Sequence, residues 1–449
     1  MKIIIAGAGE VGLHLAKLLS FESQDITLID NTQACLESAA QQLDIRVVKG
    51  DATSISILQG ASISQADLIV AVTSSQETNI TCCVLAKQLG AKQTIARISN
   101  TEFLENQDNI GFKNFGIDEL ISPEVLASEE IRLLLDQSAF NDSFQFDNGA
   151  LNIVGIQLTR TAQIVGKTVQ EAGELHPGVN FMPIAIQRYG TQYTLIPRGD
   201  TLFKDGDQVY FTTVDDGLEE IYTLTGKIKQ SLKNVMIIGG SRIGIQTAKS
   251  LLQGGFRVKL VEMDGEKAFD LADQLPDALV IHGDGRNAEL LAEENIHEMD
   301  AFICATGNSE TNLITCLMAR SKSVKKTIAL VENMDYFQLS HSIGIDTLIN
   351  KKLLAANNIF RYVRKGEVVA MHMLNNMNAE LLEFRVHERS EVNGKLVRDI
   401  NWPRSSIVGG VVRDDKGFIA LGGFQIQPGD KVVICCLPRS LSKVEKLFE

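Results

Sequence analysis

The sequence predicts an α/β fold in which one plan occurs twice: a doubly wound parallel sheet, a linker helix and a small α+β, hairpin-rich domain. Three observations predict it. A glycine-rich motif follows an apolar segment near the start of each half, and an acidic residue stands at the same distance behind both motifs. Apolar segments then alternate with amphipathic ones, as in parallel sheets covered by helices. Each half ends in short alternating segments separated by turn residues. An internal repeat of this length fixes the architecture before single residues are interpreted.

The repeat divides the 449 residues into domains and linkers. We predict a first Rossmann-like nucleotide-binding domain at 1–122, a linker helix at 123–147, a first C-terminal regulator module at 148–225, a linker at 226–233, a second Rossmann-like domain at 234–350, a linker helix at 351–376 and a second C-terminal regulator module at 377–449.

The first sheet domain begins with a strand–glycine–helix–strand unit. Its predicted strands are 2–6, 25–30, 45–49, 68–72, 94–98 and 119–121, with helices at 11–20 and 77–89. Mostly apolar strands are typical of a parallel sheet that is buried on both faces. Right-handed crossovers would place the helices on those faces. The second half repeats this pattern from Val235 to about Ile349.

A linker helix is expected behind each sheet. Pro123 should end the first sheet, and 124–140 has the apolar spacing of an amphipathic helix. The matching segment of the second half carries Met371, Met373 and Met377 near its end. Two interpretations of these methionines stay open, namely core packing and a face between subunits.

The apolar period changes from helical to alternating behind each linker. In each half two alternating segments flank a turn and predict a β-hairpin: 184–187 and 193–196 around 189–192, and 407–412 and 418–421 around 414–417. Each half therefore carries a small hairpin-rich module behind its sheet.

Composition narrows the possible functions. A net charge of −13 argues against a nucleic-acid partner, which would require a basic face. No apolar run approaches the roughly 18 residues of a membrane-spanning helix. The glycine motif directly behind the first strand leaves no room for a signal peptide, so we expect a cytoplasmic location. The seven cysteines include no C-x-x-C pair and have apolar neighbours, which predicts buried packing rather than a metal site.

The first glycine motif reads Gly7-Ala8-Gly9-Glu10-Val11-Gly12, between a strand and a helix. The first glycine permits a tight turn, the second lets the backbone approach a pyrophosphate, and the third allows close packing of helix on strand. The helix N-terminus offers N–H groups and positive partial charge to phosphates. This context, together with the acid behind it, predicts a nucleotide site rather than a turn without a ligand.

Acidic residues at the ends of the next two strands are candidate nucleoside contacts. A carboxylate at Asp30 would accept hydrogen bonds from ribose hydroxyls and repel a 2′-phosphate, which favours NAD or an adenosine nucleotide over NADP. Asp51, which precedes Ala52, has two open interpretations: it contacts the adenine side, or it caps the helix that begins near Ser54.

Further candidates lie where the fourth and fifth strands end. Thr73, Ser74 and Asn79 stand at the carboxyl end of the fourth strand, at the crevice where open α/β sheets bind ligands. Arg97 ends the fifth strand and is expected to meet a phosphate, with a surface ion pair as the alternative.

The second copy repeats this set with substitutions. Its candidate residues are Gly239, Gly240, Ser241, Arg242, Ile243, Gly244, Glu262, Asp284, Thr306 and Gly307. Ser241 stands at the position of Gly9 and narrows the approach of a ligand to the backbone, and the cation Arg242 stands at the position of Glu10. We therefore expect ligand choice or affinity to differ between the two sites.

These motifs resemble the nucleotide-binding domain of potassium-conductance regulators. The resemblance rests on the Gly7–Gly12 motif, Asp30, Gly50-Asp51-Ala52-Thr53, Glu77-Thr78-Asn79 and Ile95-Ala96-Arg97-Ile98. The hairpin-rich modules resemble the C-terminal ligand-binding module of that family. Two such units in tandem cover nearly the whole chain.

The resemblance implies a nucleotide-sensing regulatory subunit that binds NAD(H) and ATP or ADP without turnover. It also implies a ring-like homo-oligomer, with a tetramer favoured, on the inner face of the cell membrane beneath the potassium-translocating subunit TrkH. An NAD-dependent oxidoreductase is the main alternative, against which the duplicated site and the lack of a clear catalytic acid speak. A DNA-binding repressor is a third class, and the charge disfavours it.

Overall fold

The computed structural model describes residues 1–20, 24–138, 140–175, 178, 180–191, 193–214, 217–227, 231–333, 336, 344–360, 362, 368–374 and 377–449. Two compact units divide the chain: one joins Met1–Ala127 with Asn350–Val363, and the other joins Ser128–Ile349 with Arg364–Glu449. Parts of two predicted linkers, at 228–230 and within 361–376, lie outside the described residues.

The first sheet is a six-stranded parallel sheet with the strand order 3-2-1-4-5-6. Its strands are β1 (Lys2–Ala6), β2 (Asp25–Asp30), β3 (Arg46–Lys49), β4 (Leu68–Ala71), β5 (Gln93–Arg97) and β6 (Glu119–Ile121). Its helices are α1 (Glu10–Ser20), α2 (Gln33–Gln42), α3 (Ile55–Gly60), α4 (Gln76–Gln88), α5 (Glu102–Glu105) and α6 (Gln107–Ile110). The central strands are fully buried, as covered parallel strands require.

Helix α7 (Pro123–Asp136) leads to a five-stranded antiparallel sheet with the order 10-9-11-8-7. Its strands are β7 (Asp142–Phe146), β8 (Leu151–Gln157), β9 (Phe181–Gln187), β10 (Thr194–Leu195) and β11 (Gln208–Thr213). Helices α8 (Val169–Glu174) and α9 (Gly217–Thr225) complete the module. β9 and β10 form the predicted hairpin.

The second parallel sheet has the same six-stranded order, 14-13-12-15-16-17. Its strands are β12 (Asn234–Ile238), β13 (Arg257–Glu262), β14 (Leu279–His282), β15 (Ala301–Cys304), β16 (Lys326–Leu330) and β17 (Thr347–Ile349). Its described helices are α10 (Arg242–Gln253), α11 (Gly265–Gln274), α12 (Ala288–Glu293) and α13 (Ser309–Ser321).

Helix α14 (Lys351–Phe360) precedes the second antiparallel sheet, which has the order 18-19-22-20-21. Its strands are β18 (Val368–Met373), β19 (Glu380–Arg385), β20 (Ser406–Arg413), β21 (Lys416–Phe418) and β22 (Lys431–Cys436), and α15 (Leu441–Glu445) follows them. β20 and β21 form the second predicted hairpin, but its turn is shorter than expected. Only Asp414 and Asp415 lie between the strands, both with positive φ. The repeated α/β and antiparallel architecture confirms the predicted fold class.

Both predicted linker helices are too long. α7 ends at Asp136, and β7 lies within the remainder of 123–147. α14 ends at Phe360, and β18 lies within 351–376. The reason is pairing: β7 adds to β8, and β18 adds to β19, so a neighbouring strand decides the local conformation.

The two antiparallel sheets pack against each other through one apolar core. Leu151 and Ile153 of the first sheet lie in the same buried cluster as Leu381 and Val433 of the second. Met377 belongs to this cluster, and Met371 is also buried, which favours core packing for these two methionines. Six of the seven cysteines are buried, as their apolar neighbours predicted.

Two neighbouring carboxyls, one of them buried, bridge these two sheets. Glu383 on β19 is 1% exposed, and Lys431 on β22 donates a hydrogen bond to Asp147, which follows β7. Burial, and then the negative charge of Asp147, raise the pKa of Glu383 to about 8. Glu383 therefore carries a proton near neutral pH, which relieves repulsion between the two neighbouring carboxyls.

Replacing Glu383 by glutamine should flatten the pH dependence of stability below pH 8. The folded-state pKa lies above the unfolded value of about 4.3, so the native protein holds the extra proton and loses stability as pH rises through this window. In the unmodified protein, Glu383 should lower the free energy of unfolding by up to about 1.4 kcal/mol for each unit that the pH rises through this window. Denaturant unfolding at pH 6 and pH 8 measures it. Burial also raises the pKa of Glu130 to about 8, but this residue contributes equally to the pH dependence of both proteins. Equal slopes in the two proteins would contradict this account.

In the other unit, α14 packs against α1, the helix that begins at the first glycine motif. His14 of α1 is largely buried there, and burial, followed by the charge of Lys352, lowers its pKa. The helix that leaves the second sheet thus contacts the first nucleotide domain.

Candidate nucleotide-binding site

The first glycine loop joins β1 to α1, and two of its glycines are required by space. Gly7 has φ +111°, and a Cβ there would lie 2.9 Å from the backbone nitrogen of Thr73. A Cβ on Gly12 would lie 1.9 Å from the carbonyl oxygen of Gly7. Ala8 and Val11 are buried beneath the loop. These contacts hold the start of α1 tightly against the ends of β1 and β4.

Gly9 is different, because its missing side chain faces open space. A Cβ placed there meets no atom within 4 Å, and its φ is not in the left-handed region. The backbone at Gly9 can therefore be approached closely from outside, as a pyrophosphate requires. Glu10 begins α1, and its side chain lies outside the described residues.

Asp30, at the end of β2, turns toward this loop. Its Oδ2 accepts the backbone N–H of Ala8 at 2.6 Å, and its Oδ1 accepts that of Thr32 at 2.7 Å. A carboxylate has about four acceptor positions, so each oxygen keeps one for a further donor. The acid is thus fixed beside the loop while it can still accept ribose hydroxyls.

Asp51 closes a turn at the end of β3. Its Oδ1 accepts the backbone N–H and the hydroxyl of Thr53, both at 2.8 Å, and these hydrogen bonds lower its pKa. The N-cap of α3 is Ser54, so the alternative role of Asp51 as a helix cap is wrong. Asp51 is exposed, and Ala52 is buried behind it.

A buried asparagine organises the end of β4. The Oδ1 of Asn79 accepts the N–H of Thr73 at 2.8 Å and its hydroxyl at 2.6 Å, and its Nδ2 donates to the carbonyl of Arg97 at 2.9 Å. Asn79 therefore ties the ends of β4 and β5 together below the crevice, while Ser74 is exposed above them.

Arg97 forms an ion pair. Its NH2 lies 3.2 Å from Oε1 of Glu124, a carboxylate that is largely buried at the start of α7. The arrangement matches the ion-pair alternative for Arg97, except that the pair is mostly buried rather than on the surface. The side chain of Arg97 remains partly exposed, so a phosphate contact stays a prediction.

The second copy keeps the tight geometry. Gly239 has φ +98°, and a Cβ on Gly244 would lie 2.1 Å from the carbonyl oxygen of Gly239. Asn312 ties Thr306 to the end of β16, as Asn79 does in the first copy. Of the other candidates in this copy, Ile243 is buried, Arg242 is exposed, and Gly307 faces open space.

Three side chains of the second copy are engaged differently. The hydroxyl of Ser241 accepts the N–H of Gly244 and donates to the carbonyl of Ala305. The N–H of Gly240 donates to Glu262, as that of Ala8 does to Asp30, but Glu262 also binds a cation. Lys267 lies 2.9 Å from Glu262, and Arg286 pairs with Asp284. Sequence reasoning missed Lys267 and Arg286. An alignment of the two copies would have indicated both residues, because the second copy has a cation at two positions where the first copy has the uncharged Cys35 and Thr53.

The described residues contain no cluster of three or more histidine, cysteine or acidic side chains that could hold a metal ion. Among them there is also no helix with the length and hydropathy needed to cross a membrane.

Comparisons with known proteins match both halves of the chain. Residues 3–123 and 235–351 match the TrkA-N domain, and residues 153–226 and 381–449 match the TrkA-C domain. The Trk system potassium uptake protein TrkA of Haemophilus influenzae is 32% identical over 455 residues, which cover 100% of this chain and 99% of that protein. The chain belongs to the TrkA family. The TrkA protein of Halomonas elongata is also 32% identical, with the same coverage.

Solved structures share the fold of this TrkA-family chain. The GsuK RCK domain superposes with a TM-score of 0.63 at 16% identity and covers 100% of this chain and 94% of its own. The GsuK channel bound to NAD gives the same TM-score and identity, with 100% and 78% covered. At this identity the likeness concerns the fold alone.

Proposed function

We propose that this chain is the nucleotide-sensing regulatory subunit of a potassium uptake system. It binds NAD(H) and ATP or ADP at its glycine loops without turnover and gates a potassium-translocating membrane subunit of the TrkH type. It acts in the cytoplasm, at the inner face of the cell membrane, as a ring-like homo-oligomer with a tetramer favoured. Relatives that align over their full length are named Trk system potassium uptake proteins, which supports this role.

One observation carries the nucleotide part of the proposal. The loop at Gly9 is open, and Asp30 beside it keeps an acceptor position on each oxygen. A pyrophosphate against the loop and the N-terminus of α1 would place an adjacent ribose next to this acid. A solved relative in fold, the GsuK channel, carries NAD.

The remaining candidates complete this proposed site. Asp51 and Ala52 would lie on the adenine side, while Thr73 and Ser74 would line the crevice at the end of β4. Arg97 would approach a phosphate while Glu124 holds it. The division into domains belongs to the same proposal, with the linker helices ending at Asp136 and Phe360. Each sheet domain would sense the nucleotide, and each C-terminal module would assemble or regulate.

The contact between α1 and α14 offers a path for the signal. α1 begins at the glycine loop, so a ligand that draws the loop toward itself also displaces α1 against α14. A ligand shifts a conformational equilibrium only by its differential affinity for the two states. Coupling of about 1–3 kcal/mol per site is ordinary, and several sites in an oligomer would add.

The unmodified chain should bind NAD(H) more tightly than NADP(H), and replacing Asp30 by alanine should weaken NADH binding. The carboxylate accepts ribose hydroxyls and repels a 2′-phosphate. Loss of a hydrogen bond to a charged acceptor should cost about 1.5–3 kcal/mol. Titration calorimetry with NADH and NADPH measures both effects, and Asp44→Ala, at an exposed acid outside the proposed site, is the control. Equal affinity of the unmodified chain for the two nucleotides would refute the assignment.

A further inference from the structure

The two glycine loops differ in what fills the space above them. Gly9 leaves that space open. In the second copy the hydroxyl of Ser241 accepts the N–H of Gly244 at 3.2 Å and donates to the carbonyl of Ala305 at 2.5 Å. The side chain thereby ties the loop to the end of β15. Ser241 is the N-cap of α10, so it uses one of the N–H groups that a helix N-terminus offers to a phosphate, and it adds a side chain where Gly9 has none.

The acids beside the loops also differ in free acceptor positions. Oε2 of Glu262 accepts the N–H of Gly240 at 2.8 Å and the ammonium of Lys267 at 2.9 Å, and Oε1 accepts a further backbone N–H at 3.0 Å. With about four positions on a carboxylate, these bonds leave one. The bonds of Asp30 leave two, one on each oxygen. Asp30 can therefore hold two neighbouring ribose hydroxyls, and Glu262 only one.

The third difference lies at the end of the next strand. Arg286 donates to both carboxylate oxygens of Asp284, at 3.0 Å and 2.7 Å. In the first copy the Oδ1 of the equivalent Asp51 accepts the N–H and the hydroxyl of Thr53. Asp284 is thus paired with a cation, whereas Asp51 bonds a neutral side chain.

We infer that this chain binds a dinucleotide at its first glycine loop alone, and that Ser241 and Lys267 exclude one from the second. The inference rests on the proposed function, in which the first loop binds NAD(H). It assigns control by the dinucleotide to one half of a duplicated protein.

The test is the number of NADH molecules bound per full-length chain, measured by equilibrium dialysis. The unmodified chain should bind one. Gly9→Ser places the residue of the second copy in the first loop and should abolish binding. The double variant Ser241→Gly, Lys267→Ala opens the second loop and should bind two. Its thermal unfolding midpoint, compared with that of the unmodified chain, shows that the variant is folded.

The outcomes separate the two proposals. Two NADH per unmodified chain would overturn the inference and leave the proposed function intact, whereas no binding at all would overturn the proposed function first. A folded double variant that still binds one would overturn the role of Ser241 and Lys267.

Hydrogen exchange of the unmodified chain needs no variant. NADH should slow exchange at residues 7–12 and leave 239–244 unchanged, and slowing at both loops would contradict the inference.

Discussion

Replacing Gly9 by alanine should weaken NADH binding about tenfold or more while leaving the stability of the protein unchanged. The added methyl meets no atom of the protein within 4 Å, and the backbone angle there suits any residue. It does occupy the space through which a pyrophosphate reaches the loop. A tenfold loss corresponds to about 1.4 kcal/mol. Calorimetric titration gives the affinity, and urea denaturation gives the free energy of unfolding.

The matched control is a glycine of the second copy. Gly307, beside the second loop, also faces open space, so Gly307→Ala should leave both NADH affinity and stability unchanged. Full NADH affinity in Gly9→Ala would mean that the ligand does not pass over this loop.

Replacing Gly12 by alanine should lower the free energy of unfolding and abolish NADH binding together. Its Cβ would lie 1.9 Å from the carbonyl oxygen of Gly7, so α1 must move away from β1. Overpacking of this kind costs about 1–3 kcal/mol, and a backbone oxygen cannot turn aside as a side chain can. The displaced helix would no longer direct its N-terminus at the phosphates.

The second copy again supplies the control. Gly244→Ala meets the carbonyl oxygen of Gly239 at 2.1 Å and should destabilise the protein to a similar extent, but NADH affinity should persist. Unchanged stability of Gly12→Ala would show that the loop is looser than the distances indicate. Loss of NADH binding in Gly244→Ala would contradict the assignment of the dinucleotide to the first loop.

The parallel sheets could be predicted closely because their signals are local. Strands 2–6 and 25–30 match β1 and β2, since a buried parallel strand is an apolar run that ends at a glycine or an acid. The segments behind α7 and α14 could not be assigned in this way. Their strand character comes from pairing with β8 and β19, and helical and strand periods are ambiguous over so few residues.

The candidate site shows the same division. The positions of the glycines and Asp30 could be predicted from spacing alone, but the hydrogen bonds that Ser241 makes in the second copy could not. Ser241 bonds Ala305, 64 positions away, and Arg97 pairs with Glu124, 27 positions away. Such partners depend on how strands and helices are brought together. A sequence could indicate that Ser241 narrows the loop, but not that the loop is tied to the end of β15.

The most direct test of the account is potassium flux into liposomes that contain TrkH, with and without this chain, as NADH is added. Moving a gate from 1:99 to 99:1 requires about 5.5 kcal/mol of differential binding, which several sites of an oligomer can share. We expect NADH to change the flux only when the chain is present, without being consumed, and the response to shrink in Gly9→Ala. A full NADH response from TrkH alone, or an undiminished response with Gly9→Ala, would contradict the account.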